Sequence, residues 1–167
     1  ALVKCEASLL IQWNTMENIK RDYLDPNRIY LNSSKIINPN FIFYDAPGVP
    51  LDELSFVSLS SDANLWQSVT LAQQNFDSFI GCMSKLADRI DEEHRRVDVT
   101  TADYLKSAAY YYTKNLTMSM YKSHEDAMRL GLEARQELKA YLKKHHGKGG
   151  LSHSELDGED QAIPGAV

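Results

Sequence analysis

The sequence is poor in cysteine, proline and glycine, and it has no long hydrophobic run. Its 167 residues include two cysteines, five prolines and eight glycines. No stretch approaches the roughly 18 apolar residues of a transmembrane helix, and no charged segment precedes an apolar core as in a signal peptide. Cys5 and Cys82 have neither the spacing of a zinc site nor the density of a disulfide scaffold. These absences favour one compact domain in a reducing, cytoplasmic setting.

Strong basic charge is also lacking. The net charge is −5, but the last seventeen residues hold Glu155, Asp157, Glu159 and Asp160 and no lysine or arginine. The rest of the chain has 19 acidic and 18 basic residues, which is not the basic excess of a protein that coats duplex nucleic acid. A small local anion site is compatible with this balance. Residues 147–167, rich in glycine, serine and acid, predict a flexible acidic tail.

Patterns that place catalytic or cofactor groups are missing as well. Gly81 and Gly131 are isolated, so the chain has no glycine-rich phosphate loop. Cys82 lies in an apolar stretch, which is typical of a buried structural thiol, and no serine lies in a strand-turn-helix elbow. We therefore expect neither an enzymatic activity nor a cofactor.

One fragment of a metal motif occurs near the middle of the chain. Asp91 and His94 have the acid-x-x-His spacing of di-iron helical bundles, which need two such pairs and two further carboxylates. A second pair is absent, because His124 has no acidic residue three positions before it. We therefore expect no metal site, and we interpret residues 88–96 as a solvated, charged helix end.

The strongest pattern that is present is a series of eight apolar residues spaced alternately four and three apart. The series consists of Leu65, Val69, Ala72, Phe76, Phe79, Met83, Leu86 and Ile90. This spacing puts all eight on one stripe of a long helix, predicted from Ser61 to about Arg96. Because such a stripe must be covered by other helices, the sequence predicts an all-α fold: a three- to four-helix bundle with long antiparallel helices over residues 1–146.

One irregular apolar insert is predicted at residues 25–60. The first helix should run from residue 2 to Leu24, because a proline pushes the residue before it, Asp25, out of helical geometry. The insert then loses the helical period and carries several prolines between short apolar runs. It forms either a short hairpin between Ile29–Leu31 and Phe41–Tyr44 or an extended arm across the bundle.

Two capping boxes follow the second helix. Thr100 and Asp103 begin a third helix, whose inward residues should be Leu105, Ala109, Tyr112, Leu116 and Met120. Ser123 and Asp126 form a second box, followed by Ala127, Leu130, Ala134, Leu138 and Tyr141. Either one helix of more than forty residues runs here or the chain breaks at Ser123. We favour a break or kink, because Ser-His-Glu-Asp suits a helix start better than a helix middle.

Cations and hydroxyls cluster where the second helix ends and the third begins. His94, Arg95 and Arg96 are followed by Thr100 and Thr101. A helix N-terminus offers free amides, the hydroxyls add donors, and arginine presents a planar fork to phosphate, so this corner is a candidate anion site. The alternative is a polar turn whose arginines pair with neighbouring acids at positions 91, 92 and 98.

The candidate ligand site extends into the third helix. Lys106, Tyr111 and Lys114 could add cations and a stacking surface. The three consecutive tyrosines at positions 110–112 cannot all face one core, so at least one should be exposed or held at an interface.

A resemblance to a known group of proteins rests on three segments. Leu54-Ser55-Phe56-Val57-Ser58-Leu59, Asp62-Ala63-Asn64-Leu65 and Ala72-Gln73-Gln74-Asn75-Phe76 resemble the soluble part of small bacterial membrane-anchored helical proteins. Some of those accompany type III CRISPR systems, where a cytosolic domain on a membrane anchor senses cyclic oligoadenylate. The resemblance covers about residues 1–96 and assigns no residue a role.

Two functions follow as expectations. The resemblance implies a cytosolic ligand-sensing domain in antiviral defence, a homo-oligomer that binds a cyclic oligonucleotide. It would lie on the cytoplasmic side of the inner membrane, held by an anchor that precedes Ala1 and is absent from this chain. The alternative is a helical self-association or partner-binding module without a small-molecule ligand, because heptad spacing is what packing between long helices demands.

Overall fold

The described residues form an all-α bundle, as predicted. A computed structural model describes residues 2–37, 46–54 and 63–145, and within these ranges there is no β-strand. The described ranges contain four α-helices of four or more residues: α1 (Leu2–Ile19), α2 (Ala63–Arg96), α3 (Ala102–Leu105) and α4 (Ala108–His145). A π turn (Lys20–Leu24), a helical turn (Asp25–Asn27) and a 3₁₀ turn (Arg28–Asn32) extend α1, and a second 3₁₀ turn spans Leu51–Leu54.

The three long helices pack side by side. Residues 97–107, which include α3, join α2 to α4, and the ring of Phe79 on α2 contacts the ring of His124 on α4. The imidazole of His124 also contacts the backbone of Met16 on α1, while Glu6 of α1 pairs with Arg135 of α4. These contacts make α4 antiparallel to both other long helices.

The predicted α2 stripe is confirmed residue by residue. All eight of its side chains are at most 5% exposed. One half of the core surrounds Phe79 and includes Met16 and Met120, and the other half joins Leu9 to Leu138. The 4-3 spacing therefore identified the buried face of α2 correctly, because both halves of the core lie along that single stripe.

The predicted end of the first helix at Leu24 is wrong. The chain stays helical through Pro26, which lies in the first positions of the turn Asp25–Asn27. Proline is tolerated there, because the first residues of a helical turn need no backbone donor. In the preceding π turn the Asp25 amide donates to the Lys20 carbonyl, five residues back. This wider turn lets the helix restart around the proline instead of ending before it.

The insert follows the extended-arm interpretation only at residues 46–54, since residues 25–32 form helical turns. Ile29–Leu31 lies within a 3₁₀ turn, so the predicted hairpin strand at that position is wrong, and Phe41–Tyr44 lies outside the described residues. Residues 46–54 cross α1 and α2. The Gln12 Nε2 group donates to the Pro47 carbonyl at 2.9 Å, and the Val49 amide donates to Gln73 Oε1 at 2.7 Å.

The predicted break at Ser123 is also wrong, because α4 is continuous from Ala108 to His145. Tyr121 and His124, on either side of the serine, are buried; Tyr121 contacts Leu24 of the π turn and His124 contacts Met16 of α1. Tertiary packing thus overrides the capping tendency of the serine. The chain breaks earlier, at Lys106 and Ser107, where the Ser107 hydroxyl accepts a hydrogen bond from the Tyr110 amide at 3.2 Å.

This earlier break shifts the buried face of the following helix. Tyr110, Thr113 and Thr117 are buried, whereas Tyr112, predicted to face the core, is 59% exposed. Tyr111 is exposed to the same extent, which confirms that the tyrosine triplet cannot share one core. Farther along α4 the predicted burial of Ala127, Ala134 and Leu138 is confirmed.

Replacing Gly81 by alanine should stabilise the fold. Gly81 lies in the middle of α2, and a Cβ atom built on it has no neighbour within 4 Å. Glycine in a helix interior costs roughly 0.5–1 kcal/mol relative to alanine. We expect Gly81→Ala to raise the free energy of unfolding in urea by about that amount. Gly131→Ala is the matched comparison, since its Cβ would lie 3.7 Å from Met16 Cε. A loss of stability in Gly81→Ala alone would contradict the open space seen at this position.

Candidate functional site

The two arginines of the candidate anion site pair with acids one turn earlier on α2. Arg95 pairs with Asp91, and Arg96 Nη2 lies 2.6 Å from Glu92 Oε1. Both arginine side chains are at least 70% exposed. This arrangement matches the polar-turn interpretation for both residues, since each guanidinium already has a carboxylate partner.

The two threonines build the turn between α2 and α3. Asp98 accepts hydrogen bonds from the Thr100 amide at 3.0 Å and from its hydroxyl at 2.6 Å, and these bonds lower the pKa of the Asp98 carboxyl. The Thr101 hydroxyl donates to the Asp98 carbonyl and accepts from the Tyr104 amide. Thr101, and not Thr100, is therefore the cap of α3. A bound anion would have to displace these bonds to use the hydroxyls.

The remaining predicted site residues do not all meet at this corner. His94 and Lys106 are exposed near it. Tyr111 is exposed and lies edge-on to Tyr110. Lys114 instead points to the segment after α1, where its Nζ donates to the backbone carbonyls of Tyr30 and Lys35, and burial lowers its pKa. Lys114 thus fastens residues 30–35 to α4.

A groove between α2 and α4 was missed by sequence reasoning. Its volume is about 530 Å³, and it is lined by Lys85, Asp88, Arg89, Glu92, Tyr112 and Leu116. Arg89 organises it, since its guanidinium pairs with buried Glu93 and lies 5.4 Å from the centre of the Tyr112 ring. One signal was available, because Glu93 follows Ile90 by three residues and so continues the 4-3 stripe into a buried position.

The acid-x-x-His fragment is used differently from a metal motif. Asp91 pairs with Arg95, and His94 is exposed. Within residues 2–37, 46–54 and 63–145, no three His, Cys, Asp or Glu side chains come together in a group suited to a metal ion. In the same ranges, none of the helices combines the length and apolar character required to cross a bilayer.

Comparison of the chain with profiles of known protein families, with curated proteins and with solved structures finds no match. Function is therefore inferred from the surfaces and side chains of this chain.

The outer face of α1 has an uncharged middle, bounded by exposed Lys4 and Glu17. Residues 7–16 contain no Asp, Glu, Lys or Arg. Val3 and Ile11 are 54% and 44% exposed on this helix, and Ala7 is also exposed. By contrast, the outward positions of α4 include exposed Lys122 and Arg129. This uncharged stretch differs from the usual surface helix, which buries one apolar stripe and exposes charge.

A buried histidine joins α4 to α1. His124 is 4% exposed, its ring meets Phe79 at 5.1 Å, and its Nε2 lies 3.0 Å from the Met16 carbonyl oxygen. Because a carbonyl only accepts hydrogen bonds, we assign the ring hydrogen to Nε2. Burial lowers the pKa of His124, and the bond to Met16 only partly opposes this shift.

Acidification should therefore weaken the fold through His124. An unfolded histidine has a pKa near 6.5, so the unfolded chain takes up a proton at a pH where folded His124 stays neutral. The free energy of unfolding should fall as the pH drops below about 6.5, until the lower folded pKa is passed. Urea titrations between about pH 5 and 7.5 would measure this. His124→Gln should flatten the dependence, and His94→Gln, at an exposed site, should preserve it; equal slopes in all three proteins would contradict the assignment.

Proposed function

We propose that this chain is a helical self-association module that contacts a second copy through the outer face of α1. The proposal depends on one observation: α1 exposes Ile11 within a stretch that has no charged residue between Glu6 and Glu17, and it also exposes Val3, beside Lys4. Charged residues are depleted at the centre of protein interfaces, where apolar side chains take their place. On a solvated helix the same positions would be expected to carry charge.

The neighbouring edge of α4 can widen this face. The contacts Glu6–Arg135 and Met16–His124 set the antiparallel register of α1 and α4. That register places half-buried Leu10 level with Leu132, which is 40% exposed. An 18-residue helix is about 27 Å long, so α1 together with the α4 edge supplies an elongated apolar surface. A stable dimer needs roughly 800 Å² per partner, which one helix face alone would hardly reach.

Substitution of Ile11 tests the proposal. Light scattering over a wide concentration range should show a dimer or larger assembly for the unmodified chain, and Ile11→Glu should convert it to a monomer with an unchanged circular dichroism spectrum. The charge would be desolvated at the centre of the interface, at a cost of several kcal/mol. Leu71→Glu is the matched control, because it places the same charge at a similarly exposed leucine on a different helix. Leu71 is 38% exposed on α2 and lies two residues from the inward-facing Gln73. A protein that is monomeric at every concentration, or equal effects of both variants, would overturn the proposal.

Ligand sensing is a second proposal, supported by the groove beside Tyr112. Its exposed ring could stack on a base, and Lys85, which forms no ion pair with described residues, could meet a phosphate. A cyclic oligonucleotide ligand, a membrane anchor outside this chain and a role in antiviral defence depend on the resemblance alone. The paired arginines weaken this proposal, because a phosphate would have to compete with Asp91 and Glu92.

Calorimetric titration with cyclic oligoadenylates tests the second proposal. Replacing Arg95 and Arg96 together by alanine should leave the melting temperature nearly unchanged, because exposed ion pairs contribute only about 0–1 kcal/mol. If the cluster of Arg95 and Arg96 binds the ligand, the double variant should lose binding. If the groove beside Tyr112 binds it, Lys85→Ala should lose binding instead. The absence of any binding at high micromolar concentration would exclude the nucleotide.

A further inference from the structure

A second cavity lies between the end of α1 and the middle of α4. Its volume is about 260 Å³. The floor consists of Leu24, Tyr121, His124 and Met128, of which the first three are buried. Sites for drug-sized ligands occupy about 300–1,000 Å³, so this cavity suits a smaller molecule than a nucleotide.

The turns that extend α1 form one wall of this cavity, since Lys20 and Leu24 lie in the π turn and Arg28 follows the turn Asp25–Asn27. The Arg28 amide donates to the Asp25 carbonyl and not to Leu24, its α-helical partner. The Leu24 carbonyl instead accepts a hydrogen bond from the Tyr121 hydroxyl at 2.7 Å. Helices often widen into π turns at functional sites. The two rings of the floor, Tyr121 and His124, are thus held by the backbone carbonyls of Leu24 and Met16.

The buried imidazole offers an acceptor at this floor. Its Nε2 donates to Met16, so Nδ1 carries no hydrogen while His124 is neutral. No hydrogen bond to Nδ1 is formed by the described residues. An ammonium group is the natural partner for such a nitrogen in a cavity rimmed by carboxylates.

The rim carries two charges of each sign. Lys20 and Glu17 form no ion pair with described residues. Arg28 and Glu125 are 4.0 Å apart at their nearest atoms, with both side chains more than half exposed, and the Arg28 guanidinium lies 5.7 Å from the Tyr121 ring centre. The rim is therefore neutral overall but has separate groups for an anion and for a cation.

We infer that this cavity binds a free α-amino acid with an apolar side chain. The ligand carboxylate would meet Lys20 and Arg28, and its ammonium would meet Glu17, Glu125 and the acceptor nitrogen of His124. The side chain would lie on Leu24 and Met128. A purely apolar ligand would leave Lys20 and Glu17 without ion-pair partners, and a simple anion would face two carboxylates. This inference is independent of self-association through α1.

Calorimetry and thermal denaturation with L-leucine and L-methionine test the inference. Binding in the micromolar to millimolar range should raise the melting temperature with ligand concentration. Isocaproate lacks the ammonium of leucine and isoamylamine lacks its carboxylate, so each should bind about tenfold or more weakly, the loss of one charge-assisted hydrogen bond. Lys20→Met, which keeps the aliphatic stem, should weaken binding similarly.

Lys122→Met, on the outer side of α4, is the matched control and should bind normally. Ligand binding should also weaken in His124→Gln, because glutamine can keep the bond to Met16 but does not present the same acceptor. The inference is overturned if neither amino acid binds at about 20 mM, a concentration well above a useful affinity. Equal binding of leucine and its two analogues, or equal loss in Lys20→Met and Lys122→Met, would also overturn it.

Discussion

Phe79→Ala should lower the free energy of unfolding by about 3–5 kcal/mol. Phe79 is fully buried at the middle of the α2 stripe, and its ring packs edge-on against His124. Removing the ring would leave a cavity that cannot close easily, because His124 is also held by the Met16 backbone. The rigid neighbours place the expected cost toward the upper part of the usual range.

Urea denaturation followed by circular dichroism would measure this loss. Leu71→Ala on the same helix is the control, since Leu71 is 38% exposed and its truncation should cost less than about 1 kcal/mol. If Phe79→Ala lost no more than the control, α4 and α1 would not be packed on this face of α2. The melting temperature of Phe79→Ala should also fall well below that of every surface variant named above.

Side-chain periodicity was sufficient to predict α2 and insufficient for α4. The α2 stripe is made only of apolar residues, so the hydrophobic effect alone identifies its buried face. The buried face of α4 includes Thr113, Thr117, His124 and Gly131, which sequence reasoning does not assign to a core. Their burial depends on partners from distant parts of the chain, such as Met16 for His124. Apolar periodicity therefore gave the wrong register at the start of this helix.

Candidate functional residues were predicted less well than the fold for the same reason. Sequence spacing identified the cluster of Arg95, Arg96, Thr100 and Thr101, and the structure places these residues at the turn between α2 and α3. It could not show that their groups already have partners, because pairing depends on rotamers and turn geometry. The π-turn cavity had no sequence signal at all, since its lining combines α1 and α4 across about one hundred residues.

Gln73→Leu should lower the free energy of unfolding by roughly 1–3 kcal/mol, because it leaves the buried Val49 amide without a partner and removes one hydrogen bond of Gln12. Gln73 Oε1 accepts hydrogen bonds from Gln12 Nε2 at 2.8 Å and from the Val49 amide at 2.7 Å. Gln73 Nε2 donates to Asp77, and Gln12 also holds the Pro47 carbonyl. A leucine has nearly the same volume as glutamine, so the cost arises from lost hydrogen bonds and not from a cavity.

Hydrogen exchange of the backbone at residues 46–54 distinguishes a local loosening of this arm from a general loss of stability. In the unmodified protein the Val49 amide should be protected from hydrogen exchange, because it is buried and donates to Gln73. In Gln73→Leu this protection should fall much further than that of core α2 amides. Gln74→Leu is the matched control, since Gln74 is exposed and its replacement should change stability by about 0.5 kcal/mol or less. Rapid exchange of Val49 in the unmodified protein would mean that Gln12 and Gln73 do not fasten the arm to the bundle.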